Sequence, residues 1–340
     1  MRPAPRALLL APVVATVLTV AACGGGTAAG GSTDEGAAGG GAAAAQDGGL
    51  QVVAAFYPLQ FLTSRVAGDR AEVTSLTPPG AEPHDLELSP QSLAGLGEAD
   101  LVVVLGGFQP SLDDALGTSD APVLDLAEVA DRPYEGQHDD AHEGEGEEDH
   151  AAEETHADEE THGDEDGATD PHFWTDPTHM AEAAEQVAAA LSEADPEGAE
   201  AYEAGAAALA EELGALDTEA QEALASCEVT TLVTAHDAFG YFADRYGFEV
   251  RPVNGITPDQ EPDAGTLAEL SDFVAAEGVT TVYTETLVSS AVADTVAAEA
   301  GVQTAVLDPL EGLTDDSSGE DYLEIMRANI DVVRDGQSCA

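Results

Sequence analysis

The chain has 340 residues, with 68 acidic against 9 basic side chains and a formal charge of −59. A body this negative is repelled by a phosphate backbone and by anionic membrane surfaces, which excludes nucleic acid as a partner and favours cations. Acidity also serves solubility, so it does not specify a metal site by itself.

The amino end comes first. Arg2 and Arg6 precede an apolar run from Leu8 to Val20, and Val20-Ala21-Ala22-Cys23 sets a cysteine behind small residues. This predicts a lipoprotein signal peptide over 1–22, with Cys23 as the lipidated first residue of the mature chain. The run is shorter than the roughly 20 residues a bilayer crossing requires. Residues 23–49 are mostly Gly, Ala, Ser and a few acids, so they read as a flexible tether. Their glycines do not form a P-loop, because no lysine occurs anywhere in the chain. The expected location is the outer face of the cytoplasmic membrane, held by lipid alone.

Short apolar runs then alternate with helix-prone stretches: Leu50–Phe56, Ala71–Leu76, Leu101–Leu105 and Pro122–Leu126, and later Val229–Ala235, Phe248–Val253, Thr280–Thr284 and Gln303–Leu307. The pattern predicts parallel strands with crossover helices in two α/β lobes, over 50–195 and 227–340. Between them, 196–226 reads as one long helix opened by Asp195 and Pro196. Ala199, Tyr202, Ala206, Leu209, Leu213, Leu216, Ala220 and Leu224 recur at steps of three and four and form its apolar face. A break at Gly214 into two helices is the alternative.

Residues 135–168 interrupt the first lobe. They hold His138, His142, His150, His156 and His162 with sixteen acids and no large apolar residue, a composition that cannot build a core. The segment is expected to be a disordered loop offering secondary, weak metal sites; a solvated insertion is the plainer reading. With Cys23 assigned to lipid, Cys227 and Cys339 are the remaining pair for a disulfide in an oxidising compartment.

Four histidines lie elsewhere. His84 follows the strand ending at Leu76, His236 ends the strand Val229–Ala235, and Asp308 ends the strand Gln303–Leu307. His172 sits in the proline-bracketed turn Asp170-Pro171-His172-Phe173-Trp174-Thr175-Asp176-Pro177. Ligand crevices of open α/β sheets lie beyond the carboxyl ends of strands. If the lobes face each other, His84, His172, His236 and Asp308 can converge between them, and three imidazoles with a carboxylate suit tetrahedral zinc. His179, one turn into a helix, is assigned to the surface, and Trp174 to packing.

At these residues the sequence resembles the solute-binding lipoproteins of metal ABC importers, the cluster A-I or ZnuA/TroA-like family. The resemblance rests on Phe56-Tyr57-Pro58, Pro83-His84-Asp85-Leu86-Glu87-Leu88-Ser89-Pro90, the His172 turn, Thr234-Ala235-His236-Asp237-Ala238-Phe239-Gly240-Tyr241-Phe242, Thr284-Glu285 and Leu307-Asp308-Pro309-Leu310, in family order. It implies two pseudo-symmetric lobes joined by a long rigid helix, a cleft site of His84, His172, His236 and Asp308, a zinc-marking His-rich loop, delivery to an ABC permease, and a monomer. Imidazole at 236 favours zinc, whereas manganese receptors carry a harder carboxylate there. Some zinc members place a glutamate directly before the first ligand; here Pro83 stands there and Glu82 lies one further back. Two other classes compete. A secreted zinc hydrolase would need a base such as Glu285 or Asp237, but neither HExxH nor Gly-x-Ser-x-Gly occurs. A surface metal buffer would bind through the loop alone.

Overall fold

The computed structural model describes residues 49–134, 169–258 and 262–340. The signal peptide, Cys23, all of the tether but Gly49, and the five histidines of the 135–168 insertion lie outside the described residues.

Two four-stranded sheets, every pairing parallel, carry the architecture. The first contains β1 (Leu50–Ala54), β2 (Ala71–Ser75), β3 (Leu101–Val104) and β4 (Val123–Asp125) in the order β2-β1-β3-β4. The second repeats that order with β6 (Glu249–Pro252), β5 (Thr231–Thr234), β7 (Thr281–Thr284) and β8 (Gln303–Val306). The eight runs predicted as strands are therefore the eight strands of an α/β fold with two like-ordered sheets. Leu101-Val102-Val103-Val104 is buried at every position, as is Thr281-Val282-Tyr283-Thr284. Strands covered on both faces lose polar alternation, which is why they read as continuous apolar runs.

The helices follow from local chemistry. In α1 (Tyr57–Ala67), α2 (Pro90–Leu96), α3 (Pro110–Leu116) and α4 (Pro177–Ala194) a proline occupies the first turn, where its missing N–H costs no intrahelical bond. Ser89 caps α2 through Ser92 N–H, and Asp176 caps α4 through Thr178 N–H. The connecting helix α5 (Ala199–Ala223) begins later than predicted, after a 3₁₀ turn at Pro196–Gly198. Asp195 does not cap it. Its carboxylate accepts instead from the Arg70 guanidinium and from Tyr202 Oη. Gly214 lies inside the uninterrupted helix. The 25 residues of α5 span roughly 37 Å. Tyr202, Ala206, Leu209, Leu213, Leu216 and Ala220 are buried along one face, which meets α1 of the first lobe and α9 (Tyr322–Gly336) of the second.

One hydrophobic core runs through both lobes, from Val52, Phe56 and Val102 by way of Leu209 and Leu216 to Leu232, Leu307 and Ile325. A smaller cluster of Val233, Val274, Val282 and Val296 lies under α7 (Ala264–Glu277) and α8 (Ala291–Ala300). The carboxyl end is fastened by the Cys227–Cys339 disulfide. Beside it, the buried Gln337 side chain donates to Thr231 O (2.7 Å) and accepts from Tyr283 Oη (3.1 Å). Among the described residues no helix is long and apolar enough to cross a membrane.

Candidate metal centre

His84, His236 and Glu311 stand beyond the carboxyl ends of β2, β5 and β8, and His172 stands in the turn before α4. His84 occupies the irregular segment between β2 and α2, which Gln109 pins by donating its amide to Pro83 O (2.9 Å) and Thr77 Oγ1 (3.1 Å). The Glu82 carboxylate accepts the backbone N–H of His84 and of Asp85. Burial and nearby Glu311 push its carboxyl up to about 7. His172 precedes a 3₁₀ turn at Phe173–Thr175, and its backbone N–H donates to Asp170 Oδ1. His236 follows β5 by two residues, and its backbone N–H donates to Glu285, the residue just beyond β7.

The three rings meet between the lobes with centroids 5.3 to 5.9 Å apart. The fourth member is Glu311. Its Oε1 lies 3.2 Å from His84 Nε2, 3.2 Å from His172 Nε2 and 3.3 Å from His236 Nε2. The candidate ligand atoms of these four residues all lie within 4.8 Å of one another, and all four side chains are buried.

Asp308, predicted for that place, is not in the group. Its Oδ1 accepts Leu310 N–H at 2.8 Å within its own turn, and its Oδ2 lies 3.4 Å from Thr286 Oγ1, in the segment after β7. His179 is partly exposed between Asp176 (3.1 Å) and Asp131 (3.5 Å), apart from the quartet. Trp174 is fully buried and packs its ring against His172 and Phe56, while its indole N–H donates to Pro309 O (2.8 Å).

Protonation follows from the outer partners. His172 Nδ1 lies 2.8 Å from Asp170 Oδ1, and His236 Nδ1 lies 2.6 Å from Glu285 Oε1. A carboxylate only accepts, so in both rings Nδ1 carries the hydrogen and Nε2 turns its lone pair inward. Burial opposes ionisation of Asp170, but His172 and Arg132, the latter 3.1 Å from Oδ2, hold its carboxyl below the ordinary range. The two inward Nε2 atoms are buried and have no hydrogen-bond partner. Lone pairs pointed at one carboxylate oxygen repel unless a cation or protons sit among them. Without a cation, protons take that role. Burial lowers the affinity of His236 for a proton, yet Glu285 and Glu311 raise it well above the ordinary imidazole value. Asp170 and Glu311 do the same for His172. Glu311 is held well below the ordinary carboxyl range, the three histidines outweighing its burial.

Three imidazole nitrogens and one carboxylate oxygen, converging and backed by acceptors, form a donor set suited to zinc. A cleft of about 550 Å³, lined by Leu105, Phe108, Pro110, Pro171 and Ile256, opens on His84. No signal in the sequence singled out Glu311, which is one acid among 68.

Comparison with known proteins agrees with this geometry. Residues 52–336 match the family profile described as ZnuA, the zinc-uptake complex component A, periplasmic. The zinc-binding lipoprotein AdcA of Streptococcus pneumoniae is 35% identical over 299 residues, which is 85% of this chain and 56% of that protein. The chain thus spans little more than half the length of that relative. The high-affinity zinc uptake system protein ZnuA of Bacillus subtilis is 33% identical over 84% of this chain and 87% of its own length. Among solved structures, the laminin-binding protein Lmb of Streptococcus agalactiae, described as having adhesin and metal transporting activity, superposes with a TM-score of 0.71 at 28% identity. That match covers 85% of this chain and all of Lmb.

Proposed function

From the premise that the chain belongs to the ZnuA family of zinc-uptake components, we propose that it is an extracytoplasmic zinc receptor that binds Zn²⁺ through His84, His172, His236 and Glu311 and hands it to an ABC-type permease. The observation that carries this reading is the convergence of three buried imidazole Nε2 atoms on one carboxylate oxygen, two of them without any hydrogen-bond partner. Zinc converts that repulsion into four bonds, and the ion is cargo rather than a resident cofactor. Nitrogen donors in the majority favour zinc over manganese, which prefers oxygen.

The hydrolase alternative loses one of its two candidate bases here. Glu285 is engaged by both the ring and the backbone N–H of His236, on the far side of that ring from the ligand atoms. A quartet of protein ligands also leaves no open position for an activated water. Cys23 behind its apolar leader, together with a relative named as a lipoprotein, supports a lipid anchor on the outer face of the membrane.

The test is metal content and competition titration of the mature protein beside His84→Ala, His172→Ala, His236→Ala and Glu311→Gln. One tightly held zinc that manganese does not displace, weakened in every variant, is the expected result. Zinc held equally well without these side chains would refute the site.

A further inference from the structure

We infer that Asp308 is a positioning residue, which together with Asn329 fixes the turn that aims Glu311 into the histidine triad. The inference rests on the zinc-receptor reading and concerns how its carboxylate ligand is held. Four backbone groups between Asp308 and Leu310 are anchored by side chains. Asn329 Oδ1 accepts Asp308 N–H (3.0 Å), and Asn329 Nδ2 donates to Asp308 O (2.7 Å). Trp174 Nε1 donates to Pro309 O, and Asp308 Oδ1 accepts Leu310 N–H.

The reason for so many anchors is Leu310. It is fully buried and has φ of 61°, in the left-handed region that a branched side chain occupies only at a cost. Such a conformation persists where its surroundings over-determine it. The Asp308 carboxylate substitutes for a backbone acceptor, bonding the N–H two residues on. Asn329 holds the start of the turn to α9 through both backbone groups of Asp308. With the turn released, Leu310 relaxes toward negative φ and Glu311 leaves the position 3.2 to 3.3 Å from all three Nε2 atoms. The anchoring also ties this turn to that of His172, because Trp174 belongs to the 3₁₀ turn that His172 begins.

The experiment compares wild type, Asp308→Asn, Asp308→Ala, Asn329→Ala and Asp308→Ala/Leu310→Gly, with Val296→Ala in the second core cluster as a stability control. Zinc affinity is read by competition titration, and the ligand set by the visible absorption of the cobalt(II)-loaded proteins. The asparagine amide oxygen still accepts Leu310 N–H, so Asp308→Asn is expected to stay within about threefold of wild type with an unchanged cobalt spectrum. Asp308→Ala and Asn329→Ala are expected to lose about 10- to 100-fold in affinity and to shift that spectrum. Glycine at 310 occupies positive φ freely and should restore part of the loss. Asp308→Asn as damaging as Glu311→Gln would make Asp308 a ligand and overturn the inference. So would Asp308→Ala binding like wild type, or Val296→Ala losing zinc to the same extent. Wild-type protein that holds no zinc would instead refute the receptor reading on which the inference rests.

Discussion

Lowering the pH from 7.5 to 5.5 should weaken zinc binding far more than titration of one ordinary imidazole would. Zinc bonds a neutral Nε2, so every proton resident at the site must leave. Carboxylate neighbours hold His172 and His236 above the usual imidazole value against the effect of their burial, so zinc competes with a proton at both rings over more of the neutral range than at an ordinary imidazole. Burial moves His84 the other way, and it contributes no proton there. One unperturbed imidazole of pKa near 6.5 would cost about tenfold across the interval, and two rings raised above that value cost more than about 100-fold together. Calorimetric titration in buffers of different ionisation enthalpy should count more protons released per zinc at pH 7.5 than the roughly 0.1 that one ordinary imidazole would give, and chelator competition gives the affinity at each pH. A proton count near zero, or a change of tenfold or less, would refute this account of the buried histidines. Stability follows the same linkage. Raised histidines stabilise the metal-free fold fully below the unfolded imidazole pKa and lose that contribution as pH rises through their folded values. The gain in Tm on adding zinc should therefore widen from pH 6 to pH 8.

Asp170→Ala removes the acceptor that fixes the His172 tautomer and the carboxylate facing Arg132; zinc affinity measured by competition should fall about 10- to 100-fold with the fold intact by circular dichroism. Changing Cys227 and Cys339 together to alanine opens a link across 112 positions and should cost up to about 5 kcal/mol in the chain-entropy account, read as a lower denaturant midpoint while zinc stoichiometry stays at one. Every arginine among the described residues already pairs with a carboxylate and the chain has no lysine, so most of its acids repel without compensation. Raising sodium chloride from about 0.01 M to 1 M shortens the screening length roughly tenfold and should raise Tm of the metal-free protein; a fall would contradict net repulsion.

The fold was legible because its central strands are covered on both faces. Leu101–Val104 in the first lobe, and Leu232 and Val233 in the second, read as apolar runs for the same reason that they are buried. The face of α5 was legible residue by residue, since only a 3.6-residue period places Tyr202, Leu209, Leu213 and Leu216 together. Its start was less so. Asp195 and Pro196 carry the usual signs of a helix beginning, but Arg70, distant in sequence, takes the Asp195 carboxylate and leaves a 3₁₀ turn in between.

The site was legible where residue type is scarce and illegible where it is abundant. Only four histidines stand outside the acidic insertion, so strand ends and proline turns sufficed to pick His84, His172 and His236. An acid carries no such information in this chain, and strand-end logic selected Asp308, two residues beyond β8, over Glu311, five beyond it. The choice between them depends on the backbone at Leu310. An extended path would send residue 311 away from the strand end, whereas a left-handed residue folds the chain back and turns the later carboxylate inward. Leucine gives no hint of that conformation, which glycine or asparagine would have signalled, and the side chains that enforce it come from as far away as Trp174 and Asn329. Which acid joins the three histidines thus depends on a turn held by tertiary hydrogen bonds, a kind of information that local sequence does not carry.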